Sequence, residues 1–371
     1  MKIRNKLYFL RRNIRSYFEY FKHRKKYQNR SSLRDNIILV YAGNYRIYDR
    51  YFYNFMKFLE LSGVSVCFIG FNFTYFKNNV YKKQNSEYYK LIFSDRLFHF
   101  KKRPPKGSVV LRIKENFLSP DYFSSKILNL NPIENSFFIP MSMHPLMYKY
   151  GYWDTVIKSI GVRKHSIFMA GNFNENAYNQ ITHTPFETQS RVQVLSFLKS
   201  NNLILNIENN SELENFFLDS QDFSCIILDR DNVSIPMEKV RQVVSRFSFF
   251  LALPGIFMPY CHNLIEAISV GTIPIIHKEY ANLMNPKFEH LTTAIVYNDL
   301  TDLIDKINFV YSMETDKIEL LRKNVYSLYK HNFTPNSVFR KITENNYSLL
   351  YLQAQRYSLK ILETNRSLLK N

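Results

Sequence analysis

Cysteine is nearly absent. The 371 residues hold three, Cys67, Cys225 and Cys261, far apart in the chain. They form neither a zinc spacing nor a disulfide framework, which fits a reducing compartment. Glycine is also scarce, at nine residues. No G-x-G-x-x-G fingerprint, P-loop or Ser-His-Asp set occurs. Acid is short relative to base, with 31 Asp and Glu against 50 Lys and Arg and a net charge of +19. Long apolar runs are missing too. The longest uncharged stretch, residues 247–265, is broken by Pro254, Gly255 and Pro259, so no transmembrane span is expected. Apolar residues, by contrast, make up 46% of the chain and aromatics 16%. That composition excludes a disordered chain, and the length accommodates two domains with sizeable cores.

The positive charge is unevenly placed. Residues 1–34 hold twelve basic residues and one acid, Glu19, and so carry eleven of the nineteen net charges. Within them Ile3, Leu7, Leu10, Ile14, Phe18 and Phe21 recur at three- and four-residue steps, as one apolar helical stripe. Basic residues fill the other faces. A basic amphipathic helix of this kind suits an anionic membrane surface, where each cation contributes about 1 kcal/mol. Arg and Lys interrupt every turn, so the segment is not read as a signal peptide. The chain is expected in the cytoplasm, peripheral on the inner membrane.

Two α/β sets follow. Strands are expected at 36–42, 64–70, 91–93, 109–113 and 137–140, with a helix at 49–61 turned by Gly63. This βαβ start predicts a Rossmann-like domain over residues 35–155. Six strands are expected in the second set: 166–170, 203–207, 225–228, 247–253, 272–276 and 294–297. Helices fall between them at 189–199, 237–244 and 300–312. This second domain spans 156–333, and a helical region fills 334–371.

Residues 247–277, FSFFLALPGIFMPYCHNLIEAISVGTIPIIH, carry the most information. They read as a buried strand, an uncharged loop, a short helix and a second buried strand. Asn263 and Glu266 have the spacing of a capping box, and Gly271 ends the helix. Ligands of parallel α/β units sit beyond the carboxyl ends of strands, so Pro254, Gly255, His262, Asn263 and Glu266 stand where one would be held. A loop, an acid opening a helix, and Ala-Ile-x-x-Gly-Thr-Ile-Pro-Ile-Ile together resemble the donor-binding segment of GT-B glycosyltransferases. Within that group the resemblance is to exostosin-like enzymes and bacterial surface-polysaccharide transferases, and it covers mainly residues 165–330. It implies two Rossmann-like domains and a nucleotide-sugar donor whose ribose is bound by Glu266. Two departures stand out: Met258 occupies the place of a second Glu, and His262 that of a more usual Arg. A helix cap is the alternative reading of Glu266.

The resemblance also implies that Gly171, Asn172 and Arg191 meet the donor diphosphate. A guanidinium matches phosphate oxygens as a bidentate fork, and the alternative is a surface arginine. Arg163, Lys164, Lys239 and Arg241 are rivals for that role. His144, after the strand FFIP at the end of the first domain, is the candidate catalytic base near an interdomain cleft. Asn44, Tyr45 and Arg46, after the first strand, are acceptor-side candidates. Asp229-Arg230-Asp231 at a strand end is the signature of the metal-dependent GT-A fold, which stands as the rival reading. A basic nucleic-acid-binding protein is the other rival, but no RNA or DNA motif is visible and the charge clusters in one tail.

The sequence therefore leads to a glycosyltransferase that moves a sugar from a nucleotide sugar to a growing surface glycan, such as lipopolysaccharide or capsule. The acceptor is expected to be lipid-linked. No metal, cofactor or nucleic-acid partner is expected, because basic groups can stabilise the leaving diphosphate.

Overall fold

The computed structural model describes residues 10–22 (except 12), 32–41, 49–70, 72–74, 91–101 (except 93, 96 and 97), 103–157 (except 129, 131 and 132), 162–219 and 222–369. It divides into two compact units. The first comprises Met1–Ile139 and Pro335–Leu362, and the second Pro140–Thr334 and Glu363–Asn371.

Helix α1, described at residues 10, 11 and 13–22, opens the described chain. The first unit is built on four parallel strands, β1 (Asn36–Tyr41), β2 (Ser65–Ile69), β3 (Phe98–Lys101) and β4 (Ser108–Ile113), in the order β3-β2-β1-β4. Ile37, Leu39, Cys67 and Ile69 form one apolar layer of this sheet. Helix α2 (Asp49–Leu61) lies between β1 and β2, as the run before Gly63 predicts, and Gly63 takes the left-handed turn at φ 88°. Residues 51–60 of α2 are all buried, including Lys57 and Glu60. Lys57 Nζ lies 2.9 Å from Glu60 and 3.1 Å from Asp95, so these buried charges are paired. Arg34 also belongs here, not to the basic tail. Its guanidinium donates to Glu60 O and Val64 O.

The second unit is a five-stranded parallel sheet: β7 (Lys164–Gly171), β8 (Cys225–Asp229), β9 (Phe247–Ala252), β10 (Ile273–His277) and β11 (Ile295–Tyr297). Its order is β11-β10-β9-β7-β8. From β7 the chain steps outward to β8. From β9 it steps the other way, to β10 and β11. The carboxyl ends of β7 and β9 therefore diverge, the arrangement in which α/β sheets form ligand crevices.

The α/β class with two parallel sheets is as expected, and three details differ. Residues 203–207 do not form a sixth strand. Leu205 makes a single parallel bridge to Ile226, because the segment is flanked by Asn201-Asn202 and Glu208-Asn209 and sits at the sheet edge. Leu91 and Ile92 are helical rather than extended. The C-terminal region is not purely helical. Strand β12 (Leu349–Tyr351) inserts between β5 (Leu118–Ser119) and β6 (Ser136–Phe138) as a small parallel sheet of the first unit. Phe138 stacks on Tyr351 there, with ring centroids 4.4 Å apart.

Candidate functional site

The site lies in the second unit, where β7 and β9 diverge. Three turns build it: Gly171-Asn172 after β7, Pro254–Cys261 after β9, and the start of helix α5 (His262–Ile268). The Pro254–Cys261 loop folds back on itself. Gly255 N–H donates to Met258 O at 3.0 Å, and a Cβ at Gly255 would lie 2.7 Å from Tyr260 O. Tyr280 pins the end of the loop, its hydroxyl accepting from Cys261 N at 2.8 Å. Tyr260 donates its hydroxyl proton to Leu283 O.

Arg191, the first residue of helix α4 (Arg191–Ser200), is buried in this crevice. The turn that delivers it is a capping box of Ser190 and Gln193. Nε and Nη2 donate to Pro254 O at 3.0 and 2.7 Å, and Nη1 donates to Asn172 O at 3.1 Å. Nη2 also lies 3.4 Å from Cys261 Sγ, and the guanidinium carbon is 4.0 Å from the Tyr178 ring centroid. One side chain thus ties the end of β7 to the end of β9. A Cβ at Gly171 would lie 2.8 Å from Arg191 Nη1, so the glycine lets the guanidinium cross the strand end. None of these partners is a carboxylate. Arg191 therefore places in the crevice a buried cation with no carboxylate partner among the described residues, which favours an anion there.

Glu266, expected as either a cap or a ribose ligand, does not cap. The helix begins at His262 and its N-cap, Cys261, makes no side-chain cap bond. The Glu266 carboxylate, only 4% exposed, accepts through Oε1 from His262 Nδ1 at 2.9 Å and from His144 N–H at 3.3 Å. Among the described residues its Oε2 accepts no hydrogen bond. Burial alone would raise this carboxyl. The charge and hydrogen bond of His262, with the His144 N–H, outweigh it and hold the group below its ordinary value. Beside it Asn263, also buried, turns Nδ2 toward Ala170 O at 3.5 Å, and its Oδ1 has no hydrogen-bond partner among the described residues.

His144 belongs to the second unit rather than to the end of the first. It caps helix α3 (Pro145–Lys149), its Nδ1 accepting from Leu146 N–H at 3.3 Å. Its ring centroid is 5.2 Å from that of His262. The structure therefore gathers His144, His262, Asn263 and Glu266 in one place, with Arg191 adjoining through Cys261. Asn44, Tyr45 and Arg46 lie outside the described residues.

The rival cations have other partners. Arg163 donates to Phe247 O and Val270 O and to Thr272 Oγ1, and burial lowers it to about 9. Arg241 donates to Tyr152 O, Thr155 O and Ser269 Oγ, and is likewise lowered by burial. Asp229 stands at the end of β8, an edge strand of the sheet, and accepts the Asp231 N–H at 3.1 Å as a local turn. Among the described residues no three His, Cys, Asp or Glu side chains are grouped to hold a metal ion. Sequence reasoning missed the Tyr280 pin and the Cys261–Arg191 contact. Both join segments with no shared pattern.

No family model matches this sequence, and no curated protein matches it. Among solved structures the chain is similar to a glycosyltransferase from Rickettsia africae, at 12% identity and a TM-score of 0.43, covering 85% of this chain and 97% of that one. It is also similar to Anabaena HepE in complex with UDP-glucose, at 10% identity and a TM-score of 0.37, covering 83% and 98%. A third is the DNA-modifying enzyme β-glucosyltransferase, at 10% identity and a TM-score of 0.36, covering 83% and 99%. Likeness at this level carries no functional reading, which rests instead on the side chains of the crevice.

Proposed function

We propose that this chain is a glycosyltransferase that takes its donor sugar from a nucleotide sugar bound by the second unit. One observation carries the reading. The second unit holds a buried cation with no carboxylate partner among the described residues, Arg191, which adjoins the start of α5 through Cys261, and on that helix a buried carboxylate, Glu266, whose Oε2 accepts no hydrogen bond among the described residues. A ligand that satisfies both needs an anionic group and hydroxyl donors close together. A nucleoside diphosphate joined to a sugar has both. Glu266 Oε2 and Asn263 Oδ1 accept from hydroxyls or base N–H groups. Arg191 acts mainly through its field and by shaping the Gly171-Asn172 and Pro254–Cys261 turns, since most of its donors already have partners. His144 stands beside the reacting end of the donor.

The acceptor in this reading is a growing surface glycan of the lipopolysaccharide or capsule kind, carried on a lipid at the cytoplasmic membrane face. The basic amphipathic helix α1 supports that location, and no metal is needed for the transfer. The first unit holds the acceptor. A thermal-shift screen of the full chain against nucleotide sugars and nucleoside diphosphates tests the donor assignment. A stabilising shift with one base series is expected. A flat response to every nucleotide contradicts it.

A further inference from the structure

We propose that His262 is a protonation-linked grip on the terminal phosphate of the donor diphosphate, and that Glu266 positions it. The inference rests on the donor-site reading and adds the residue that meets the phosphate. His262 Nδ1 lies 2.9 Å from Glu266 Oε1, four residues along the same helix. A carboxylate only accepts, so Nδ1 carries its hydrogen whether the imidazole is neutral or charged. Every change on protonation is therefore confined to Nε2. That atom is a lone pair in the neutral ring and an N–H donor in the charged one. Among the described residues Nε2 makes no hydrogen bond, and the side chain is 33% exposed, so it is accessible to a ligand.

The surroundings favour the charged ring once an anion arrives. Glu266 faces the imidazole from its own helix. The segment around α3 contributes the His144 ring and Tyr148, whose buried phenol is held well above its ordinary value. The preceding residue, Cys261, carries Arg191 on its sulfur. His144 already uses Nδ1 to accept the Leu146 N–H. An imidazolium between the Glu266 carboxylate and a phosphate is flanked by two anions, which favours uptake of a proton on binding. In this arrangement Glu266 Oε1 serves the imidazole, while Oε2 stays available to a hydroxyl.

The test is calorimetry on the full chain at about pH 8, where a terminal phosphate, with its second ionisation near 6, is fully ionised. UDP is titrated first, then GDP, ADP and CDP, each in two buffers of different ionisation heat. Binding of a diphosphate is expected to take up a sizeable fraction of a proton. The matching nucleoside is expected to take up none. His262→Gln removes the uptake and weakens diphosphate binding about tenfold, the loss of one charge-assisted bond. Glu266→Gln reduces the uptake as well, since a neutral amide no longer stabilises the imidazolium. Diphosphate binding with no uptake, or with uptake unchanged in His262→Gln, overturns the assignment of His262 and leaves the donor site standing. If no nucleoside diphosphate binds at all, the donor-site reading fails and this inference falls with it.

Discussion

Arg191 and Arg241, both buried, and the half-buried Arg163 each set a guanidinium on backbone carbonyls, and at Arg191 this joins two turns of the site. Arg191→Lys keeps the charge but cannot reach Asn172 O and Pro254 O together. It is expected to lower stability by roughly 2–4 kcal/mol, because buried carbonyls lose their donors. A urea melt beside the parent checks this. Glu266 makes a pH prediction. Its native value lies below the ordinary, unfolded one near about 4.3. The unfolded chain therefore binds more protons as pH falls through that interval, and the stabilisation, full above the unfolded value, is lost through the native one. Melting temperatures followed from pH 6 down to 3 should fall less steeply for Glu266→Gln than for the parent. Parallel curves would contradict the pairing.

Helix α1 turns its apolar residues outward. Leu10 is 56% and Phe18 70% exposed, and Ile14 and Tyr17 lie on the same arc, while Ser16 and Tyr20 on another edge are the buried ones. Arg11, Arg15 and Lys22 flank the exposed arc. Phe18→Ser with Leu10→Ser should cut sedimentation with anionic vesicles by roughly tenfold or more, since each large side chain contributes about 1.5–3 kcal/mol when buried. Equal pelleting would remove the membrane role of this helix. In α2, Lys57 bridges Glu60 and Asp95 in the core, and Arg34 also pairs with Glu60. Lys57→Ala should destabilise by about 3–5 kcal/mol, because it removes the buried cation from between two buried carboxylates and leaves Glu60 only the half-exposed Arg34. Denaturant titration measures it.

Elements with a strong local pattern were legible in the sequence. Helix α2 was found at its observed bounds, and β9 and β10 to within a residue. Strands β5 and β12 were not, because strands of two and three residues exist only through partners far along the chain. The same holds at the site. The place of His262 and Glu266 at the start of a helix could be read from the sequence. The His144 N–H on Glu266, 122 residues distant, could not. Nor could the carbonyls that Arg191 holds, since every residue has one.

Across the whole molecule, one chain builds two parallel α/β units, and its segment Pro335–Leu362 returns to the first. The central claim is that the second unit binds a nucleotide sugar in the crevice beside Glu266. Titration of the full chain with the nucleoside diphosphate chosen by the thermal screen tests this most directly, in the parent and in Glu266→Gln. Charge-assisted bonds to hydroxyls are worth about 1.5–3 kcal/mol each, so the variant should bind about ten- to hundred-fold more weakly while the protein remains folded. Unchanged affinity in folded Glu266→Gln, or no nucleotide binding by the parent, would contradict it.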